Sequence, residues 1–202
     1  TGSDTCGSLR IPAALQNLVS LRQTRGLSSR TGIAPLSSSQ DVAGPLARSV
    51  TDLALLMDAT VGPDRADPIT AGASAHIPRS YRDSLGPDGL RGMRIGVVRA
   101  LFEDEPEDEA FNEVINRSLE AMKAQGAEVF DVEIPSLSEQ LADTSVILHE
   151  FKLDLADYLA RHKGTPIGSL EDIIRRGMEH YRLEDRLRSR NKPESRDTEA
   201  YR

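Results

Sequence analysis

The residues most able to do chemistry lie in the run Thr1-Gly2-Ser3-Asp4-Thr5-Cys6-Gly7-Ser8-Leu9-Arg10-Ile11-Pro12-Ala13-Ala14. A serine that follows small residues can sit at a sharp turn with its hydroxyl exposed. The backbone N–H groups of Thr5, Cys6, Gly7 and Ser8 can then converge on one point, which is what stabilising an oxyanion requires. Gly7 lets a substrate carbonyl approach without meeting a side chain. On residue type alone, the same run also reads as a structural turn, since Gly-Ser loops are common and Asp and Thr side chains bond nearby backbone N–H groups.

Other chemistries find less support. His76, His149, His162 and His180 are scattered, without the spacing that places two ligands on one helix face, so no metal site is expected. No Gly-x-Ser-x-Gly elbow is present to pair a histidine base with a serine. Arg94-Ile95-Gly96-Val97-Val98 could open a nucleotide-binding unit, but the Gly-x-Gly-x-x-Gly turn is missing, and a core strand is the simpler reading. Cys6 is the one cysteine. It rules out an internal disulfide and a cysteine-rich zinc site, and it fits a reducing compartment and hence a cytoplasmic protein.

The 202 residues carry a net charge of -7. That charge argues against a nucleic-acid surface, and the basic patch at 186–190 reads as a solvated helix face. No stretch approaches the roughly 20 apolar residues of a membrane span. Both ends, Thr1 and the charged stretch at Arg202, read as internal to a longer chain.

Several elements must position the Ser8 loop. Residues 1–48 read as loops and short strands, with a short helix near Pro12 and a strand-like Val19-Ser20-Leu21-Arg22. A helix is predicted from Val50 to Thr60, capped by Ser49 with Asp52 three residues on, and with Leu53, Leu56, Met57, Thr60 and Val61 on its buried face. Gly62-Pro63 stops it. Residues 62–92 read as a connecting loop. Met93–Val98 forms a strand, and 107–125 an amphipathic helix facing inward through Phe111, Val114, Ile115, Leu119 and Met122. Glu128–Ile134 forms a second strand, which together suggests a βαβ unit. The acidic run 103–109 suits a loop and helix start. Beyond Pro135, one helical stripe is Ile147, Phe151, Leu155, Tyr158 and Leu159; another is Leu170, Ile173, Ile174, Met178 and Tyr181. Residues 182–202 read as an exposed helix or a partly disordered tail.

The run Gly2-Ser3-Asp4-Thr5-Cys6-Gly7-Ser8-Leu9-Arg10-Ile11-Pro12-Ala13 resembles the amidase-signature family, whose nucleophile segment has the form G-x-D-T-G-G-S-I-R-x-P-A. The stretches Asn17–Leu27, Gly32–Leu36 and Gln40–Arg48, with Asp52 and Asp58, continue the resemblance. It is dense over 1–70 and looser from 90 to 160. Cys6 stands where the family has glycine, and Gln23 where it often has proline.

The resemblance implies an α/β fold with a mixed β-sheet flanked by helices, incomplete here. Residues 1–202 would be part of one amidase domain. Within it, 1–70 is the signature segment, 71–92 a connecting loop, 93–181 the strand-helix-strand and helical region, and 182–202 a charged tail. Ser8 would be the catalytic nucleophile, with the N–H groups of Thr5, Cys6, Gly7 and Ser8 as oxyanion hole. Asp4, Arg10 and Asp41 would support the site, Arg10 and Asp41 as an ion pair.

The family's other two catalytic side chains, a serine on a cis peptide bond and a lysine, would lie upstream. None of Lys123, Lys152, Lys163 and Lys192 matches the lysine motif, so the chain by itself should be inactive. The expected partner is a small-molecule amide, with no cofactor, metal, nucleic acid or membrane, and with room for a homodimer. Two alternatives stand beside hydrolysis: the A subunit of a glutamine-dependent amidotransferase, and a non-catalytic pseudoenzyme acting as a binding module.

Overall fold

The computed structural model describes residues 1–102, 105–142, 144–162, 164–199 and 201. Glu103 and Asp104 of the acidic run, and Lys163, lie outside them. The chain divides into two compact units, Thr1–Asp83 with Ser145–Arg202, and Ser84–Thr144.

The first unit is built around short strands. Strand β1 (Gly2–Asp4) leads into the Ser8 loop and then helix α1 (Arg10–Leu15), two residues earlier than Pro12 suggests. Strand β2 (Val19–Ser20) follows, and then β3 (Val42–Gly44) and β4 (Leu46–Ala47). β1 pairs antiparallel with β3, placing Gly2 opposite Gly44 and Asp4 opposite Val42. β2 pairs antiparallel with β4.

The facing glycines have a packing reason. Leu9 is fully buried against them, and a β-carbon at Gly44 would come within 2.5 Å of Leu9 Cδ1 and 2.6 Å of the Leu21 carbonyl oxygen. Only glycine fits there, and Leu9 is thereby fixed one residue after Ser8.

Helix α2 (Val50–Thr60) has the predicted bounds. The Ser49 hydroxyl accepts from the Asp52 N–H at 3.1 Å, as the capping pattern requires. Its buried face centres on Ala54 and Met57, whereas Thr60 is exposed and bonds back to the Leu56 carbonyl. The expected loop 62–92 contains two 3-10 stretches, Pro68–Ala75 and Tyr81–Ser84.

The second unit holds strand β5 (Arg94–Val97), helix α3 (Glu109–Ala124), strand β6 (Glu128–Asp131) and a short helix α4 (Leu137–Leu141). β5 and β6 are parallel, with Arg94 opposite Glu128, so the βαβ reading holds. Of the predicted inward face of α3, Ile115, Leu119 and Met122 are half-buried, while Phe111 and Val114 are exposed.

The first unit resumes with α5 (Ile147–Arg161), α6 (Leu170–Arg175) and α7 (Glu184–Arg190). The second predicted stripe is cut short. Gly177 takes a positive φ of 61°, and Met178 and Tyr181 beyond it are exposed. The charged tail folds back on α5: Arg196 pairs with Asp154, Lys152 with Glu194, and the Tyr201 hydroxyl donates to Glu150.

The class is α/β. The strands form three two-stranded pairs, two antiparallel and one parallel. Among the described residues, no helix is long and apolar enough to cross a membrane.

Candidate active site

Residues 5–8 form the turn between β1 and α1. Both of its ends are tied down. On one side Asp4 is fully buried, and its Oδ2 accepts from the Leu9 N–H at 3.1 Å, closing the loop over five residues. Arg10 Nε donates to the same oxygen at 3.2 Å, and Arg22 reaches Oδ1 at 3.2 Å. Burial pushes the Asp4 carboxyl up. The Arg10 and Leu9 hydrogen bonds and the charges of Arg10 and Arg22 outweigh it and hold the group below its ordinary value. On the other side the Thr5 hydroxyl donates to Asp41 Oδ1 at 2.5 Å.

Between these anchors the loop is open. Ser8 and Cys6 are exposed, while Gly7 is buried. The Gly7 carbonyl accepts from the Ile11 N–H at 2.8 Å, which starts α1. Among the described residues, the N–H groups of Cys6, Gly7 and Ser8 have no acceptor, and the Ser8 hydroxyl has no hydrogen-bond partner. An exposed hydroxyl beside unused main-chain donors is suited to attack on a carbonyl and to holding the oxygen that becomes charged.

The expected Arg10–Asp41 ion pair is not formed. Arg10 pairs with Asp4 instead. Asp41 is occupied by the main chain, its Oδ2 accepting from the N–H groups of Leu36 and Ser37 at 2.9 and 3.0 Å. Both carboxylates are buried. Asp41 is already satisfied by the Thr5 hydroxyl and two N–H groups, whereas Asp4 has one N–H donor and takes both nearby guanidinium groups.

Arg22, which reads only as a strand residue, is the larger of the two braces. It donates to the Asp4 carbonyl at 2.5 Å and to the Gln40 carbonyl at 2.9 Å, joining the start of the Ser8 loop to the Asp41 loop. Gln23 adds a bond of 2.6 Å to the Ala43 carbonyl in β3, so the departure from proline there supplies a donor. Nothing in the spacing links positions 4 and 22.

Glu150 and Asp154 also have no role in the sequence reading. Here a signal was available, since both fall at helical spacing from Ile147 on a face that should be apolar.

A cavity of about 690 Å³ lies beside this layer, lined by Asp41, Arg30, Asp67, Asp154, Tyr158 and Arg196 among others, but not by Ser8. Arg30 and Asp67 form a two-pronged pair across it at 2.8 and 2.9 Å. Among the described residues, no cluster of three His, Cys, Asp or Glu side chains could hold a metal.

The amidase family model matches residues 1–201. Over 180 residues the chain is 33% identical to a probable amidase of Arabidopsis thaliana, covering 86% of this chain and 33% of that protein. Over 167 residues it is 38% identical to the A subunit of the glutamyl-tRNA(Gln) amidotransferase of Deinococcus deserti, covering 83% of this chain and 32% of that one. The native peptide amidase of Stenotrophomonas maltophilia superposes with a TM-score of 0.82 at 33% identity, covering 99% of this chain and 42% of its own. The chain thus spans about a third of the length of the curated relatives it matches.

Proposed function

Since this chain belongs to the amidase family, we propose that the polypeptide carrying it hydrolyses a carboxamide C–N bond through an acyl-serine on Ser8. The observation that carries this is the exposed Ser8 hydroxyl, set in a loop held at Asp4 and Thr5 beside donors without acceptors.

The Ser8 oxygen adds to the amide carbon while its proton leaves to a base. The carbonyl oxygen becomes an oxyanion held by the N–H groups of Thr5, Cys6, Gly7 and Ser8. The C–N bond then breaks, the amine departs with the proton, and water releases the acid from the serine. Loss of one such donor costs about 10²–10³ in rate in comparable sites. The base is assigned to a serine on a cis peptide bond and a lysine outside these residues. The isolated 202 residues should therefore turn over no aryl amide.

The test is labelling of the complete polypeptide with a fluorophosphonate, followed by mapping of the modified peptide. Modification at Ser8 is expected; modification elsewhere would remove the assignment. A second reading, the A subunit of an amidotransferase, draws on the 38% identity to the Deinococcus deserti protein. It predicts that ammonia freed by amide cleavage at Ser8 is recovered in an acyl-tRNA product when partner subunits are present, whereas the hydrolase reading predicts release of free acid with no such transfer.

A further inference from the structure

Glu150 in α5 is 1% exposed. Its carboxylate takes four donors and no cation among the described residues. The donors are the hydroxyls of Ser37 and Ser39, the Ser39 N–H at 3.0 Å and the Tyr201 hydroxyl at 2.5 Å. One turn along the helix, Asp154 accepts from the Ser38 N–H at 2.6 Å. Three consecutive serines, more than a hundred residues away in sequence, are thus each bonded to a carboxylate of α5.

The chain of bonds continues toward the Ser8 loop. The Ser37 N–H donates to Asp41 Oδ2 at 3.0 Å, and Asp41 Oδ1 takes the Thr5 hydroxyl at 2.5 Å.

A buried carboxylate is a poor way merely to attach a helix. It loses its hydration, and apolar packing of the same volume would hold as well. What it adds is direction: charge-assisted hydrogen bonds are short and fix the geometry of their donors, whereas apolar contact does not.

We propose that Glu150 is a positioning residue for the Ser8 loop. By fixing the 37–39 serines it fixes Asp41, by fixing Asp41 it fixes Thr5, and so it sets the aim of the N–H groups that follow. This rests on the acyl-serine reading given above.

The test compares Glu150→Gln, Ser37→Ala and the double variant in the complete polypeptide. Rates are expressed per serine titrated with the fluorophosphonate, which removes any loss of folded protein. Glutamine keeps the shape but turns an N–H2 toward donors. Each single variant should lower kcat, and the rate of phosphonylation of Ser8, about 10- to 100-fold, the cost of a small misplacement at a reacting centre. KM for an aryl amide should stay within about twofold. The double variant should fall no further than the worse single, because both cut the same chain of bonds.

Unchanged rates per titrated serine, with only a lowered Tm, would overturn the proposal, and so would additive losses. If Glu150→Gln yields no folded protein, Ser37→Ala decides by the same criteria. Wild-type label that maps away from Ser8 would instead refute the acyl-serine reading, and this proposal with it.

Discussion

The Ser8 loop and the βαβ unit are held together by different kinds of bond. In residues 84–144, parallel strands β5 and β6 are consecutive strands joined through α3, and the three elements meet through a periodic apolar pattern. The Ser8 loop is held by polar bonds whose partners lie 5, 18 and 36 residues away, and its outer support spans 113. Apolar packing tolerates small shifts, whereas a carboxylate with several fixed donors does not. The second region is therefore a scaffold, and the first is a device for aiming a few atoms.

The sharpest way to break that contrast is Ser8→Ala. Ser8 is exposed and bonds to nothing among the described residues, so its loss should leave stability within about 0.5 kcal/mol of wild type. Amide hydrolysis by the complete polypeptide should fall by about 10⁴-fold or more. Residual turnover near the wild-type rate, measured on titrated protein, would make the clamped loop a structural turn only.

Acid should separate the two regions next. Asp4 and Glu150 are each pushed up by burial but held below their ordinary values by their donors, and the Arg30 hydrogen bond lowers Asp67. All three belong to the first unit. A carboxyl depressed in the folded state contributes stability that is present above its unfolded value and is lost as pH falls through the folded one. Hydrogen exchange should therefore show amides of 2–44 losing protection below about pH 4, before those of 94–131. Asp4→Asn, which leaves Arg10 and Arg22 without their buried charge, should cost about 1–3 kcal/mol at neutral pH and weaken the acid response. Simultaneous loss of protection in both units would show that the carboxylates are not what divides them.

A smaller change works on the scaffold side. Val97 in β5 is buried, and Val97→Ala should cost about 1.5–2.5 kcal/mol from lost apolar burial and a residual cavity. The loss should be confined to exchange protection in 94–131, with the rate of labelling at Ser8 unchanged. A slowed Ser8 would mean that the scaffold also takes part in aiming.

The same contrast explains what could be read from the residues alone. Helix α2, the βαβ unit and the position of the Ser8 loop were legible because each rests on spacing of three, four or two residues or on a contiguous run. The sequence offers Arg10–Asp41 and says nothing of Arg22, because the pairing depends on which carboxylate other donors have already satisfied. Asp41 is taken by the N–H groups of Leu36 and Ser37, while Asp4 faces Arg10 and Arg22, which is known only once β1 and β3 are paired. The stripe through Met178 and Tyr181 failed differently. A periodic pattern continued past Gly177, where the backbone turns away. Glu150 and Asp154 stood in plain view as charges on an apolar helix face, and only their partners were hidden.

Ser49→Ala sets the finest limit on the comparison, because it asks whether the division follows the units or the range of the bond. Ser49 lies in the first unit with the Ser8 loop, yet its one cap bond reaches only to the Asp52 N–H. Ser169 repeats the arrangement at Asp172 in α6. If locality is what matters, removing the Ser49 hydroxyl should behave like a scaffold change. It should cost about 1 kcal/mol, seen as faster exchange of the first amides of α2, and leave the rate of fluorophosphonate labelling at Ser8 as in wild type. A slowed label would show that the Ser49 cap, two residues beyond Ala47 in β4, helps aim the loop. The aiming device would then extend past its polar bonds into the local structure around them.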